Sequence, residues 1–306
     1  MTKQRESSLV FWLFLLPVLF AFIMIMVVPF FLGSFYAFTN WSSSAKLDGG
    51  LRFIGFKNFI DSFKDPSFIY SFGITGIYTV FSMVSVNLIA FMLALLVTSK
   101  IKLRNVYRAG FFVPNLIGGL ILGYIWQFIF NNALPSLGKL LPFLGGFADP
   151  ANLLLSKNTT AMLALVIVST WQYAGYIMMI YIAAIENVPE ELHEAAKIDG
   201  ANAWMRLKAI TLPMVAQAFT VTMFLTLIFS FKQFDVNVSL TSGGPSAMLM
   251  GRPILGTELL ALNIYNTAFI SNNLAMGQAR AVIFFIVLAI ISLVQVYVNK
   301  KKEIEL

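Results

Sequence analysis

Six stretches of the chain are apolar and free of charge over lengths that suit a bilayer crossing. Residues 7–45, 66–99, 109–138, 158–185, 209–231 and 281–299 contain no Asp, Glu, Lys or Arg. A helix covers the hydrocarbon core with ~20 mostly apolar residues. Trimming the polar ends predicts spans near 10–38, 71–98, 110–131, 159–184, 212–232 and 281–299. They must be helical, because lipid offers the backbone no hydrogen-bond partner. The first follows Lys3 and Arg5 in the manner of a signal peptide. It is longer than a signal h-region and no A-x-A site follows, so it reads as a retained anchor, bent at Pro17 and Pro29. The uncharged run 259–279 is rich in Asn, Ser and Thr ("LNIYNTAFISNN") and reads as a loop or partly inserted helix.

Composition agrees with this pattern. Hydrophobic residues make up 58 % of the 306 and charged residues 11 %, against roughly 25 % charged in soluble domains. A water-soluble fold of this size has no interior large enough for that much apolar surface. The net charge of +7 therefore bears on topology and not on nucleic acid. With both termini inside, the inner segments 1–9, 99–109, 186–211 and 300–306 hold twelve of the 21 Lys and Arg, although the outer segments are twice as long. That bias predicts cytoplasmic termini and puts the loop between spans four and five in the cytoplasm. There is no cysteine, which excludes disulfides, thiolate metal sites and cysteine nucleophiles.

The spans lack what other transport classes need. No acid or base lies well inside one, with Lys232 and Asp235 at the outer end of span five, and ion-coupled carriers depend on such groups. A phosphate loop is also missing. Gly138-Lys139 is followed by Leu140 instead of Ser or Thr, and Ala133 stands where the first glycine belongs. If ATP drives transport, another chain hydrolyses it.

The loop 186–211 holds the sequence's densest set of polar features. His193-Glu194 begins like a zinc-protease motif, but Lys197 replaces the second histidine and the chain has no other. Pro189 suits a first helical turn, preceded by Asn187 or Val188. Glu190, Glu191 and Glu194 suit the positive end of a helix dipole, and Glu194 can pair with Lys197. Gly200 stands where a helix stops. Residues 189–199 thus predict a helix of about three turns. Asn202 is placed to cap a second, carrying Trp204, Arg206 and Lys208. One face of the first helix bears Leu192, Ala195, Ala196 and Asp199. That small-residue face suits either close packing on the protein's own body or docking to a partner; pattern alone leaves both open.

At these residues the sequence resembles the inner-membrane permeases of binding-protein-dependent ABC importers. Their mark is E-A-A, three residues, G, nine residues, I-x-L-P. It stands here as Glu194-Ala195-Ala196, Gly200 and Ile210-Thr211-Leu212-Pro213. "YIAAIENVPEELHEAAKIDGA" (Tyr181–Ala201) is similar to the carbohydrate branch. So are "FIGFKNFIDSF", "YRAGFFVPNLIGGLILGYIWQFIF", "FKQFDVNVSLTSGGP" and "IYNTAFISNNLAMGQARAVIFF".

The resemblance implies an all-α integral membrane protein. It has six transmembrane helices, the type I ABC importer permease architecture and a single permease domain over residues 1–306. It implies a bacterial or archaeal cytoplasmic membrane, a second homologous permease, two cytosolic ATPase subunits that carry ATP and Mg, and an external solute-binding protein. The loop helix becomes a coupling helix. Glu194 would bond across the interface, Ala195, Ala196 and Asp199 would seat against the ATPase, and Gly200 would provide the turn. Ile210, Leu212 and Pro213 would begin span five and pass movement into the membrane. This chain itself would bind no cofactor and catalyse nothing.

In such permeases spans three to six surround the pathway. Candidate cargo contacts are Trp171, Gln172, Tyr173 and Tyr176 in span four and Phe229, Ser230, Gln233 and Asp235 at the outer end of span five, with Asn87, Asn115 and Gln127 behind them. Amides, hydroxyls and flat rings suit a polyhydroxyl ligand. The same residue types also serve as interfacial anchors and interhelical links. Lys232 keeps an anionic cargo such as a glycerol phosphodiester open. An ion-coupled carrier and a membrane sensor are the competing classes.

Overall fold

A computed structural model describes residues 2–42, 50–99 and 101–300. Lys100, Lys301 and Lys302, counted among the inner-side charges, lie outside the described residues. Nearly all of the rest is helix, with one two-stranded hairpin, Ser246–Leu249 against Arg252–Leu255. The helices divide into two compact units, Met1–Asp65 with Ile264–Phe285, and Pro66–Asn263 with Ile286–Leu306.

Four helices are long and apolar enough to cross a membrane by themselves: Val10–Tyr36, Pro66–Thr98, Asn158–Glu186 and Leu274–Asn299. They match predicted spans one, two, four and six. The other two predicted spans are broken. Residues 110–131 are not one rod, because Arg104–Leu116 meets Gly119–Leu140 at 98°. Pro114 sits in a tight 3-10 turn, and Ile117 and Gly118 are extended. Proline cannot donate the helical hydrogen bond, and the break leaves backbone groups to satisfy. The Gln172 side chain donates to the Ile117 carbonyl at 3.4 Å. Likewise 212–232 does not start at Leu212. Ala203–Met214 meets Ala216–Phe231 at 68°, with the break at Val215. The run 259–279 holds Leu260–Ile270, a helical segment too short to span.

Three π-turns follow one rule. Ile23–Val27, Ile129–Ala133 and Leu207–Thr211 each end two residues before a proline: Pro29, Pro135 and Pro213. A proline ring clashes with the carbonyl four residues back, and a turn widened by one residue relieves that clash without ending the helix. Pro29 therefore sits within a continuous helix where the sequence suggested a bend.

The larger unit is built on Pro66–Thr98 packed along Asn158–Glu186. Apolar burial gives little drive between helices in lipid, so close contact of small residues and interhelical hydrogen bonds do the work. Ser71, Thr75, Ser82, Ala90 and Ala94 of the first helix are buried, as are Ala161, Ala164 and Gly175 of the second. A Cβ on Gly175 would collide with the Phe111 backbone carbonyl. Asn87 ties three helices: it donates to Thr226 (2.9 Å) and accepts from Tyr181 (2.8 Å), whose hydroxyl accepts from Thr222 (2.7 Å). Gln127 donates to the Leu240 carbonyl. These two amides, candidates for the pathway, are thus engaged in packing. Asp235–Thr241 lies against Gly119–Phe128, and that approach requires glycine. Side chains at Gly119 and Gly123 would meet Asp235 and Ser239.

In the smaller unit, none of the apolar window of Val10–Tyr36 is buried within the chain. The segment after it is knotted together by Asn58, whose amide donates to the Ala37 and Thr39 carbonyls at 2.8 Å. Arg280 corrects the expectation that no charge enters a span. It is the seventh residue of Leu274–Lys300, is 2 % exposed, pairs with Asp65 and donates to Thr267 at 2.6 Å. It escaped notice because it borders the uncharged run and the helix starts six residues earlier.

Candidate functional site

The loop helix forms where its signals placed it. It runs Glu190–Ile198, with Pro189 just outside as the capping residue rather than in the first turn. Its end is a two-bond cap. The Gly200 amide donates to Lys197 (3.1 Å) and the Ala201 amide to Ala196 (2.8 Å), with Gly200 at φ +83°. This is the Schellman arrangement, and it needs a residue that adopts the left-handed conformation without strain. Asn202 then caps the next helix, accepting from the Met205 amide at 2.9 Å.

Within this chain no residue of Glu190–Ile198 is buried. Leu192 is 43 % and Ile198 87 % exposed, and Trp204 beyond the turn is 68 % exposed. Packing on its own body was one of the two readings of the small-residue face. The structure leaves Leu192, Ala195 and Asp199 in the open and only Ala196 partly covered. Behind the helix lies a cavity of about 870 Å³, bordered by Glu190, His193 and Lys197 on one side and Glu186, Arg206 and Thr211 on the other. Glu194, Ala195 and Gly200 do not line it. Ile210, Leu212 and Pro213 are half-buried in the segment that the bend at Val215 joins to Ala216–Phe231. The loop and that helix are thus joined through the break at Val215.

The cargo candidates separate. Tyr173, Phe229, Gln233 and Asp235 come together around a cavity of about 190 Å³, with Ile228, Lys232 and Phe234 completing its wall. Tyr173 stacks on Phe229, ring centres 5.1 Å apart and 20° from parallel, and Tyr176 leans on the same ring at 6.1 Å. Ser230 lines a smaller void alongside with Tyr78 and Ser169. Trp171 is on another face of its helix, against Trp126. Gln172 is buried and turned to the helix break. The sequence reading missed Tyr78 and Ser169. The Tyr78 hydroxyl bonds Ser169, and Ser169 accepts from Gln233 at 3.1 Å. Ser169 was legible, one helical turn before Tyr173; Tyr78 had no signal. Glu258 was missed as well. It is 4 % exposed and accepts from Ser67 (3.0 Å) and Asn263 (2.9 Å), tying the segment after the hairpin to the start of Pro66–Thr98.

Complete ligand pockets measure ~300–1,000 Å³, so the 190 Å³ recess is too small to be one by itself. No group of three or more metal-ligating side chains occurs among the described residues.

The sequence motif anticipated the loop helix; the bent, glycine-packed helix core is the structure's addition. The model of the family "binding-protein-dependent transport system inner membrane component" matches residues 74–304. The chain belongs to that family. It is 43 % identical, over 99 % of its own length and 98 % of the relative's, to a probable starch degradation products transport system permease of Thermoanaerobacterium thermosulfurigenes. It is 30 % identical to a multiple sugar-binding transport system permease of Streptococcus mutans, over 96 % of each chain. Among solved structures it shares a fold, at TM-score 0.80, 19 % identity and 98 % coverage of both chains, with a chain of a bacterial ABC transporter involved in the import of the acidic polysaccharide alginate. The shared fold thus extends over nearly the whole length.

Proposed function

We propose that this permease forms half of the path by which a sugar or oligosaccharide, delivered by an external binding protein, enters the cell under the drive of cytosolic ATPase subunits. Residues 1–306 act as one permease module with six crossings, each bent pair counting as one, and with both termini cytoplasmic. The observation that carries the reading is the loop helix: a capped, nine-residue helix none of whose residues its own chain buries. Its exposed Leu192, Glu194, Ala195 and Ile198 fit a cleft on an ATPase subunit that binds ATP and Mg. Asp199 and Gly200 shape its end. Ile210, Leu212 and Pro213 pass its movement through the bend at Val215.

The cargo wall is Tyr173, Phe229, Gln233 and Asp235, with Tyr176 and Ser230 beside it. A stacked aromatic pair with an amide and a carboxylate at its edge suits a polyhydroxyl ligand. The incomplete recess supports a second homologous permease facing this one. The sugar permeases among its relatives support carbohydrate over a glycerol phosphodiester, although Lys232 borders the recess.

The test is a reconstituted complex. Glu194→Arg should abolish uptake while the complex stays assembled and ATP hydrolysis escapes control by the binding protein. Unchanged uptake would refute docking through this face. Tyr173→Ala and Gln233→Ala should weaken sugar-stimulated ATPase activity; if both leave it unchanged, the partner permease holds the cargo.

A further inference from the structure

An apolar groove of about 640 Å³ runs along the larger unit, away from both places described above. Ile89 and Leu93 of Pro66–Thr98 form one wall, Leu163, Ile167 and Trp171 of Asn158–Glu186 the other, and Gly110 with Phe111 closes one end. From Leu163 to Gly175 the groove follows twelve residues of helix, about 18 Å at 1.5 Å per residue. An acyl chain in one leaflet covers about 15 Å, half of a ~30 Å hydrocarbon core.

The groove offers no polar invitation. Its hydroxyls are spent on each other and on the backbone: Ser85 bonds Thr170 at 2.8 Å and donates to the Phe81 carbonyl at 2.8 Å. At the Leu163 end the nearest base along the helix, Lys157, donates to Asn152 at 3.5 Å; the Gly110 end carries more positive charge. Gly110 belongs to Arg104–Phe112, so Arg104 lies six residues before it, about 9 Å along the axis. Lys102 and Arg104 are exposed and form no ion pair among the described residues, while Arg108 is held by Glu186.

We propose that this groove is a binding site for an anionic phospholipid, one acyl chain lying between Pro66–Thr98 and Asn158–Glu186 and the headgroup resting on Lys102 and Arg104. The inference needs only that the chain lies in a membrane. It stands or falls independently of cargo and coupling.

Trp171 is a reporter in the groove wall. The full-length protein is placed in nanodiscs of phosphatidylcholine doped with phosphatidylglycerol or phosphatidylcholine brominated on the acyl chains. The Trp171 signal is the fluorescence lost in Trp171→Phe. Brominated phosphatidylglycerol should quench it at a far lower mole fraction than brominated phosphatidylcholine. Lys102→Gln and Arg104→Gln should each cut that preference about fivefold. Gly110→Leu should fill the groove and remove the preference; a Cβ at Gly110 meets nothing within 4 Å, so the helix tolerates it, and Gly110→Ala is the control. Equal quenching by both lipids, unaffected by Gly110→Leu, would mean contact with bulk bilayer and overturn the proposal. So would Gly110→Cys, in this cysteine-free chain, cross-linking efficiently to another permease subunit, because a protein helix would then occupy the groove.

Discussion

Replacing Gly200 by Val isolates the cap of the loop helix. A Cβ there meets nothing within 4 Å, so no steric contact confuses the result. The whole cost is conformational, because the backbone sits at φ +83°. An ordinary L-residue held there costs roughly 1–2 kcal/mol, and a β-branched one more. Helices shorter than ~12 residues are marginal in water without tertiary support, and Glu190–Ile198 buries no residue of its own. Its stability rests on the cap and on Glu190 and Glu191 in the first turn, which contribute roughly 0.3–1 kcal/mol each. Losing 1–2 kcal/mol should therefore raise the frayed fraction roughly 5–30-fold. Hydrogen exchange read by mass spectrometry should show the amides of Asp199, Gly200 and Ala201, which bond Ala195, Lys197 and Ala196, exchanging faster by that factor. The order should be Val worst, Ala intermediate and Asn mildest, since Asn tolerates the left-handed region. In the reconstituted complex, coupling of ATP hydrolysis to uptake should fall in the same order. Unchanged exchange in Gly200→Val would refute the view that the cap holds this helix.

Other substitutions test the packing. Gly123→Ala drives a methyl into Ser239 and should destabilise by about 1–3 kcal/mol; Gly123→Ala with Ser239→Gly should recover part of it in a thermal-melt cycle. Arg280→Met leaves Asp65 and Thr267 without their shared partner and should cost about 2–3 kcal/mol, less than a fully buried pair because the Asp65 side chain is 35 % exposed. Adding Asp65→Leu should restore most of that in denaturant unfolding, and no restoration would mean the pair is not the reason. Tyr181→Phe removes a link between Asn87 and Thr222 and should cost only about 0.6–1.7 kcal/mol, the range for interhelical hydrogen bonds in membranes, with sugar affinity unchanged in a binding assay on the complex.

Charge-free stretches were enough to locate four straight spans, because the ~20-residue length that lipid demands leaves a long, readable mark. The loop helix was legible for a different reason. Its limits are local chemistry: acids in the first turn, a glycine in the left-handed region and an asparagine cap. Arg280 shows how a boundary drawn by charge misleads. A paired arginine can enter a helix, and its partner Asp65 is far away in sequence.

The breaks at Ile117-Gly118 and Val215 were not read, because bending a helix changes neither hydropathy nor charge. Nor did the sequence reveal which of the opposed faces of Trp171 and Tyr173 meets the recess, or that the Gln172 amide donates to a carbonyl the break exposes. Local propensity, hydropathy and short-range capping therefore determined which residues enter the membrane and where the uncovered helix starts and stops. Tertiary structure alone decided which polar side chains pair inside the protein and which of them also border the recess by Tyr173. The reason is physical: an unpaired polar group is costly in lipid, and here the acceptors for the Gln172, Asn87 and Gln233 amides come from other helices or from the turn between them, at long sequence range.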